Sequence, residues 1–116
     1  MKILIHSSIP VFQRVKRLLQ GASEREVVFV EDIDQLKRDH QCNFVLIEVK
    51  RHNTDTLCRC MSELTPASPI LLTDRGTDWN RLAGAGASAF VSIDSGDRVF
   101  AARMEATLKR LGRETA

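Results

Sequence analysis

Short apolar runs alternate along this chain with longer stretches in which apolar and polar residues recur at helical spacing. Five runs of four to six residues are almost continuously apolar, which is typical of parallel strands buried on both faces of a sheet. These runs lie at residues 2–5, 27–30, 44–49, 70–73 and 89–93. Between and after them, apolar residues return every three or four positions, which predicts helices.

Each predicted strand is followed by one predicted helix. Ser7 or Ser8 is expected to cap the first and Asp32 the second, while Pro66 and Pro69 bracket the turn into the fourth strand. The apolar positions of the five helices are Val11, Phe12, Val15, Leu18 and Leu19; Ile33 and Leu36; Leu57, Met61 and Leu64; Trp79, Leu82 and Ala83; and Val99, Phe100, Met104, Leu108 and Leu111. Strands that alternate with helices predict one α/β domain with a doubly wound parallel sheet.

Composition and charge narrow the class of protein. A length of 116 residues fits one domain, and 43% hydrophobic with 28% charged residues is ordinary for a globular protein. The net charge is only +2 and the basic residues are dispersed, so we expect no direct binding of nucleic acid or of an anionic membrane. The apolar N-terminal run is too short for a signal peptide or membrane span, which predicts a cytoplasmic protein with reduced cysteines.

One charged residue interrupts the third apolar run. Residues 44–49 are apolar except for Glu48, the second residue from the end. Charged side chains are rarely buried without a partner, so Glu48 is expected where the strand leaves the core. Ligands bind at this carboxyl edge in open parallel sheets. Glu48 is therefore the first candidate functional residue.

Several segments together resemble the receiver domains of bacterial response regulators, over the whole length of the chain. Residues 85–91, Ala-Gly-Ala-Ser-Ala-Phe-Val, are similar to the family segment Ala-Gly-Ala-x-Gly-Tyr/Phe-Val. Residues 2–5 with Pro10, 44–49 and 69–73 resemble its first, third and fourth strand regions. The resemblance implies a CheY-like, flavodoxin-like sheet of five strands in the order 2-1-3-4-5. It also places Glu48 at the phosphoacceptor position, Thr73 at the switch Thr/Ser and Phe90 at the switch aromatic.

The chain departs from the family at the residues that carry out the family's chemistry. Ser7 and Ser8 stand where the resemblance implies an acidic pair that holds magnesium, Glu48 replaces the phosphoacceptor aspartate, and Ile93 replaces a lysine. His52 stands where proline is usual. Magnesium prefers carboxylate and water oxygens, and phosphoryl transfer depends on stabilising the charge that develops. We therefore expect a pseudo-receiver that is not an enzyme, is not phosphorylated normally and has no metal or cofactor.

Three interpretations of Glu48 remain open. It is a structural carboxylate held by serine hydroxyls or backbone N–H groups, or it imitates a phosphorylated aspartate that acts on Thr73 and Phe90, or it accepts a phosphoryl group itself. A glutamate is one methylene longer than an aspartate, which displaces its oxygens by roughly 1.5 Å and disfavours the third interpretation.

The resemblance also implies a contact surface made of the fourth helix, the fifth strand and the fifth helix. Trp79, Phe90, Arg98 and Arg103 are its candidate members, and the partner is another signalling protein or a second copy of the chain. In one alternative, the chain is the N-terminal receiver of a transcriptional regulator whose DNA-binding output domain lies beyond residue 116. In another, it is a flavodoxin-like phosphotransfer or ligand-binding protein with a pocket at His6, Ser7, Ser8, Glu48 and Thr73.

Two further candidates are a set of cysteines and histidines and a single histidine. Cys58 and Cys60, with His52 and the more distant His40 and Cys42, could suggest zinc. Their spacing matches no paired zinc motif, and positions two apart on a helix point away from each other, so free thiols are expected. His6 at the end of the first strand could titrate near neutral pH beside Glu48, or be a neutral, hydrogen-bonded histidine.

Overall fold

A computed structural model of the chain describes residues 1–21, 24–37, 42–64 and 68–114, and the predictions for His40 and Pro66 lie outside these ranges. Five strands form one parallel sheet in the order β2-β1-β3-β4-β5, which confirms the predicted fold. The strands are β1 (Lys2–His6), β2 (Glu26–Phe29), β3 (Phe44–Glu48), β4 (Ser68–Thr73) and β5 (Ala89–Ser92). The α-helices are α1 (Ile9–Leu19), α2 (Thr54–Cys60), α3 (Trp79–Gly84) and α4 (Asp97–Glu114).

The second predicted helix is a 3-10 turn at Ile33–Lys37, so the fourth and fifth predicted helices are α3 and α4. Its segment has only two apolar positions, too few to offset the cost of starting an α-helix. The Asp32 side chain accepts the backbone N–H of Asp34, which favours a turn. The third predicted helix is also shorter, because α2 tightens into a 3-10 turn at Met61–Glu63.

Alternate strand residues point to opposite faces and build two cores. On one face, Ile3, Ile5 and Leu46 pack with Leu19 of α1 and Phe100 of α4. On the other face, Leu4, Val45, Ile47 and Leu71 pack with Leu57 of α2, Leu82 of α3 and Leu36 of the 3-10 turn. This double burial explains why the strands are continuously apolar. Among the described helices, none has the length and apolar character needed to cross a membrane.

Candidate functional site at the carboxyl edge of the sheet

The carboxyl ends of the two central strands bring together the residues that the sequence singles out. His6 of β1 lies beside Ile47 of β3, so the next residues of both strands meet at the edge. A pocket of about 240 Å³ opens there. It is lined by His6, Ser7, Ser8, Glu48, Lys50, His52 and Asn53. Thr73 is not among these lining residues, so the structure assembles four of the five predicted pocket residues.

Glu48 is buried, with only 3% of its surface exposed, and both carboxylate oxygens have partners. Oε1 accepts the backbone N–H of Ser8 at 2.8 Å, and Oε2 lies 3.1 Å from Nζ of Lys50. Ser8 is the N-cap of α1, but its own side chain makes no capping hydrogen bond. Glu48 therefore supplies the negative group at the start of α1, where the helix dipole favours it.

Lys50 is a site residue that sequence reasoning missed. Its backbone N–H donates to Oδ1 of Asn53 at 2.8 Å, and Nδ2 of Asn53 donates to the carbonyl oxygen of Glu48 at 3.1 Å. The Thr54 hydroxyl donates to the Lys50 carbonyl oxygen at 2.9 Å. The sequence did contain a signal for its role. Lys50 lies two residues after Glu48, and residues two apart on an extended chain point to the same side.

The side chains of Ser7 and His6 bond to backbone carbonyl oxygens. The Ser7 hydroxyl donates to the carbonyl oxygen of Ser8 at 2.8 Å. Nδ1 of His6 lies 3.0 Å from the carbonyl oxygen of Val30. Because a carbonyl only accepts, Nδ1 carries the proton in this bond. The His6 side chain is thus hydrogen-bonded at the exit of β1.

The donor set does not fit magnesium. This ion requires a nearly octahedral shell of oxygens and is usually held by one or two carboxylates with waters and phosphate. Among the described residues that line the pocket, Glu48 is the one carboxylate, and its oxygens already bond an N–H group and an ammonium. Across the described ranges, no group of three or more His, Cys, Asp and Glu side chains is arranged to hold a metal.

The predicted switch residues lie on β4, which pairs with β3, and on β5, which pairs with β4. Thr73 is fully buried, and its hydroxyl has no hydrogen-bond partner within the described part of the chain. Phe90 is half-buried and stacks on Trp79, with ring centroids 5.3 Å apart and planes at 17°. The Glu48 oxygens bond elsewhere, so the carboxylate does not hold the Thr73 hydroxyl in this conformation.

Arg14 of α1 bonds to the backbone at Ile93, the position where the resemblance implied a lysine. The Ile93 side chain is partly buried in the core, and its carbonyl oxygen accepts Nη1 of Arg14 at 2.8 Å. Nη2 of Arg14 donates to the Ser95 carbonyl oxygen at 2.6 Å, and Nε to Oδ1 of Asp97 at 2.8 Å. The guanidinium lies over the Phe100 ring, and hydrogen bonds from Arg14 and Arg17 hold the pKa of Asp97 below its usual value.

The remaining candidates are separate from this site. Arg98 and Arg103 are exposed on α4. Cys42 and Cys60 are buried and Cys58 is half-buried, and none of the three forms a disulfide. Burial raises the pKa of the Cys60 thiol, which disfavours the thiolate that metal binding needs.

Comparison with solved structures places this geometry in a known fold. A CheY-like protein (tadZ) from Pseudomonas aeruginosa PAO1 has a TM-score of 0.74 at 16% identity, over 97% of this chain and 93% of that one. A response regulator from Thermotoga maritima has a TM-score of 0.71 at 14% identity, over 93% and 97%. A putative pilus assembly-related protein from Burkholderia pseudomallei K96243 has a TM-score of 0.69 at 13% identity, over 94% and 90%.

Searches by sequence found no matching family model and no matching curated protein. The similarity is therefore one of three-dimensional structure. Its coverage is nearly complete in both directions, and the strand order is the one that the resemblance implied. The chain has the fold of a CheY-like response-regulator receiver domain.

Proposed function

We propose that this chain is a pseudo-receiver, a signalling domain that acts by associating with another protein or with a second copy of itself. It is a binding module that does not undergo aspartyl-type phosphorylation. The receiver fold supports the signalling role, and the contacts at the carboxyl edge support the loss of chemistry.

The observation that carries this proposal is the internal ion pair of Glu48. A phosphoacceptor needs a free carboxylate oxygen to attack phosphorus, whereas both Glu48 oxygens are hydrogen-bonded or paired. The serines at the acidic-pair positions bring no negative charge, and Ile93 brings no cation. Charge developing on a transferred phosphoryl group would lack the metal and lysine that normally stabilise it.

A ligand-binding role has weaker support. Pockets for small ligands usually have volumes of about 300–1,000 Å³. The pocket at the carboxyl edge has about 240 Å³, and part of its lining is engaged in internal hydrogen bonds. A DNA-binding output domain beyond residue 116 would be compatible with the same receiver role.

The phosphorylation test uses a small phosphodonor with MgCl₂ and intact-protein mass spectrometry. We expect the wild-type chain to gain no phosphoryl mass under conditions that fully modify a genuine receiver domain. A variant with all four changed positions restored, Ser7→Asp, Ser8→Asp, Glu48→Asp and Ile93→Lys, provides the matched comparison. A stoichiometric mass increase in the wild type that disappears in Glu48→Gln would refute the proposal.

A further inference from the structure

We propose that Lys50 is a tethered replacement for the metal ion of this site. Its ammonium neutralises Glu48 and gives the carboxyl edge one fixed charge arrangement, which divalent cations do not change. The inference rests on the proposed function, because an ammonium in the metal's place leaves no metal ion to stabilise a transferred phosphoryl group.

The geometry gives the ammonium the position of a metal relative to the carboxylate. Oε1 of Glu48 is held by the Ser8 N–H, which leaves Oε2 to bind a cation, and Nζ of Lys50 lies 3.1 Å from it. A carboxylate that is 97% buried needs such a partner, because an unpaired buried charge is costly. Lysine meets this need without the six oxygen ligands that magnesium requires.

The turn after β3 fixes the position of the Lys50 backbone. The side chain of Asn53 bonds both to the Lys50 N–H and to the Glu48 carbonyl oxygen, so it ties the two residues together through the backbone. From this backbone position, the flexible Lys50 side chain is long enough for its ammonium to reach the Glu48 carboxylate. The Lys50 side chain remains 45% exposed, so the pair has a buried anion and a cation at the surface. Substitution of Lys50 therefore removes the charge with little disturbance of the core.

The test is a double-mutant cycle on the whole chain, with thermal unfolding followed at constant ionic strength with and without millimolar MgCl₂. The variants are Lys50→Met, Glu48→Gln and the two combined, with Lys50→Arg to retain the charge and Lys50→Gln as a second neutral replacement. We expect Lys50→Met to lower Tm by about 5 °C in the wild-type background and by about 1 °C or less with Glu48→Gln.

The response of Tm to magnesium distinguishes a lysine that replaces a metal ion from a lysine that only stabilises the fold. We expect MgCl₂ to leave Tm of the wild type and of the double variant unchanged, and to raise that of Lys50→Met and Lys50→Gln by about 2 °C or more. Equal effects of Lys50→Met in both backgrounds, no magnesium response in the neutral variants, or an equal response in the wild type would each overturn the inference. Phosphoryl gain by the wild type with the coupling intact would refute the proposed function alone.

Discussion

At the residue scale, Thr73 is fully buried, and its side-chain hydroxyl has no hydrogen-bond partner in the described ranges. A hydroxyl that gives up its hydrogen bonds to water on folding and makes none in return destabilises the folded state. We expect Thr73→Val to increase the free energy of unfolding by about 1 kcal/mol, as measured by urea denaturation. Thr54→Val is the matched control, because it deletes a hydroxyl that donates to the Lys50 carbonyl oxygen and should cost about 1 kcal/mol.

A decrease in stability for Thr73→Val would mean that this hydroxyl has a partner in solution. In that case the switch role implied by the family resemblance would regain support. Unchanged association of Thr73→Val with a partner would argue that the hydroxyl takes no part in signalling.

Glu48 shows what the sequence could and could not predict at this scale. Its isolation in an apolar run placed it at the carboxyl edge, and a backbone N–H was one of its expected partners. The Lys50 ammonium was not expected, since a lysine in a polar loop has many solvated rotamers. The hydrogen bonds of Asn53 that position this lysine have no signature in the sequence.

At the element scale, Arg14 joins α1 to the segment between β5 and α4. It donates two hydrogen bonds to backbone carbonyl oxygens of that segment and one to Asp97 at the start of α4, and its side chain is 22% exposed. Hydrogen bonds from charged donors are worth about 1.5–3 kcal/mol each when lost from a shielded site. We expect Arg14→Ala to lower the free energy of unfolding by about 2–3 kcal/mol in urea denaturation.

Two other variants make this prediction specific. Arg17→Ala deletes the exposed partner of the same Asp97 and should change stability by about 0.5 kcal/mol or less. Arg14→Lys should recover only part of the loss, because lysine lacks the fork that reaches several acceptors at once. Equal effects of Arg14→Ala and Arg17→Ala would contradict the bridging role.

The type of secondary structure was predicted correctly where the repeat of apolar residues was long. α1 and α4 have three or more turns of amphipathic pattern and formed as predicted. The segment at Ile33 and Leu36 has a single turn and became a 3-10 helix. Gly86, two residues after the end of α3, adopts φ +113°, a conformation that a residue with a side chain rarely takes.

At the scale of the whole molecule, the surface of α3, β5 and α4 is the proposed contact region. Trp79 is 48% exposed on this surface and rests on Phe90, while Arg98 and Arg103 are exposed on α4. Exposed tryptophan and arginine are the residue types that most often dominate binding energy. We expect Trp79→Ala to weaken self-association or partner binding about tenfold in analytical ultracentrifugation or a binding titration.

Ile9→Ala provides the control for the loss of an exposed apolar side chain. Ile9 is 52% exposed but begins α1, outside the proposed surface, so binding should not change. Equal binding by Trp79→Ala and the wild type would exclude this surface. A strictly monomeric wild type would exclude the homodimer and leave the association with another protein.

The stack of Trp79 on Phe90 also has a spectroscopic consequence. Trp79 is the single tryptophan of the chain, which has no tyrosine, so its indole dominates the intrinsic fluorescence. Because Trp79 is 48% exposed and stacks on Phe90, both docking of a partner and movement of Phe90 should change its emission. The protein thus contains a label-free optical probe at the surface where its signal is expected to leave the domain.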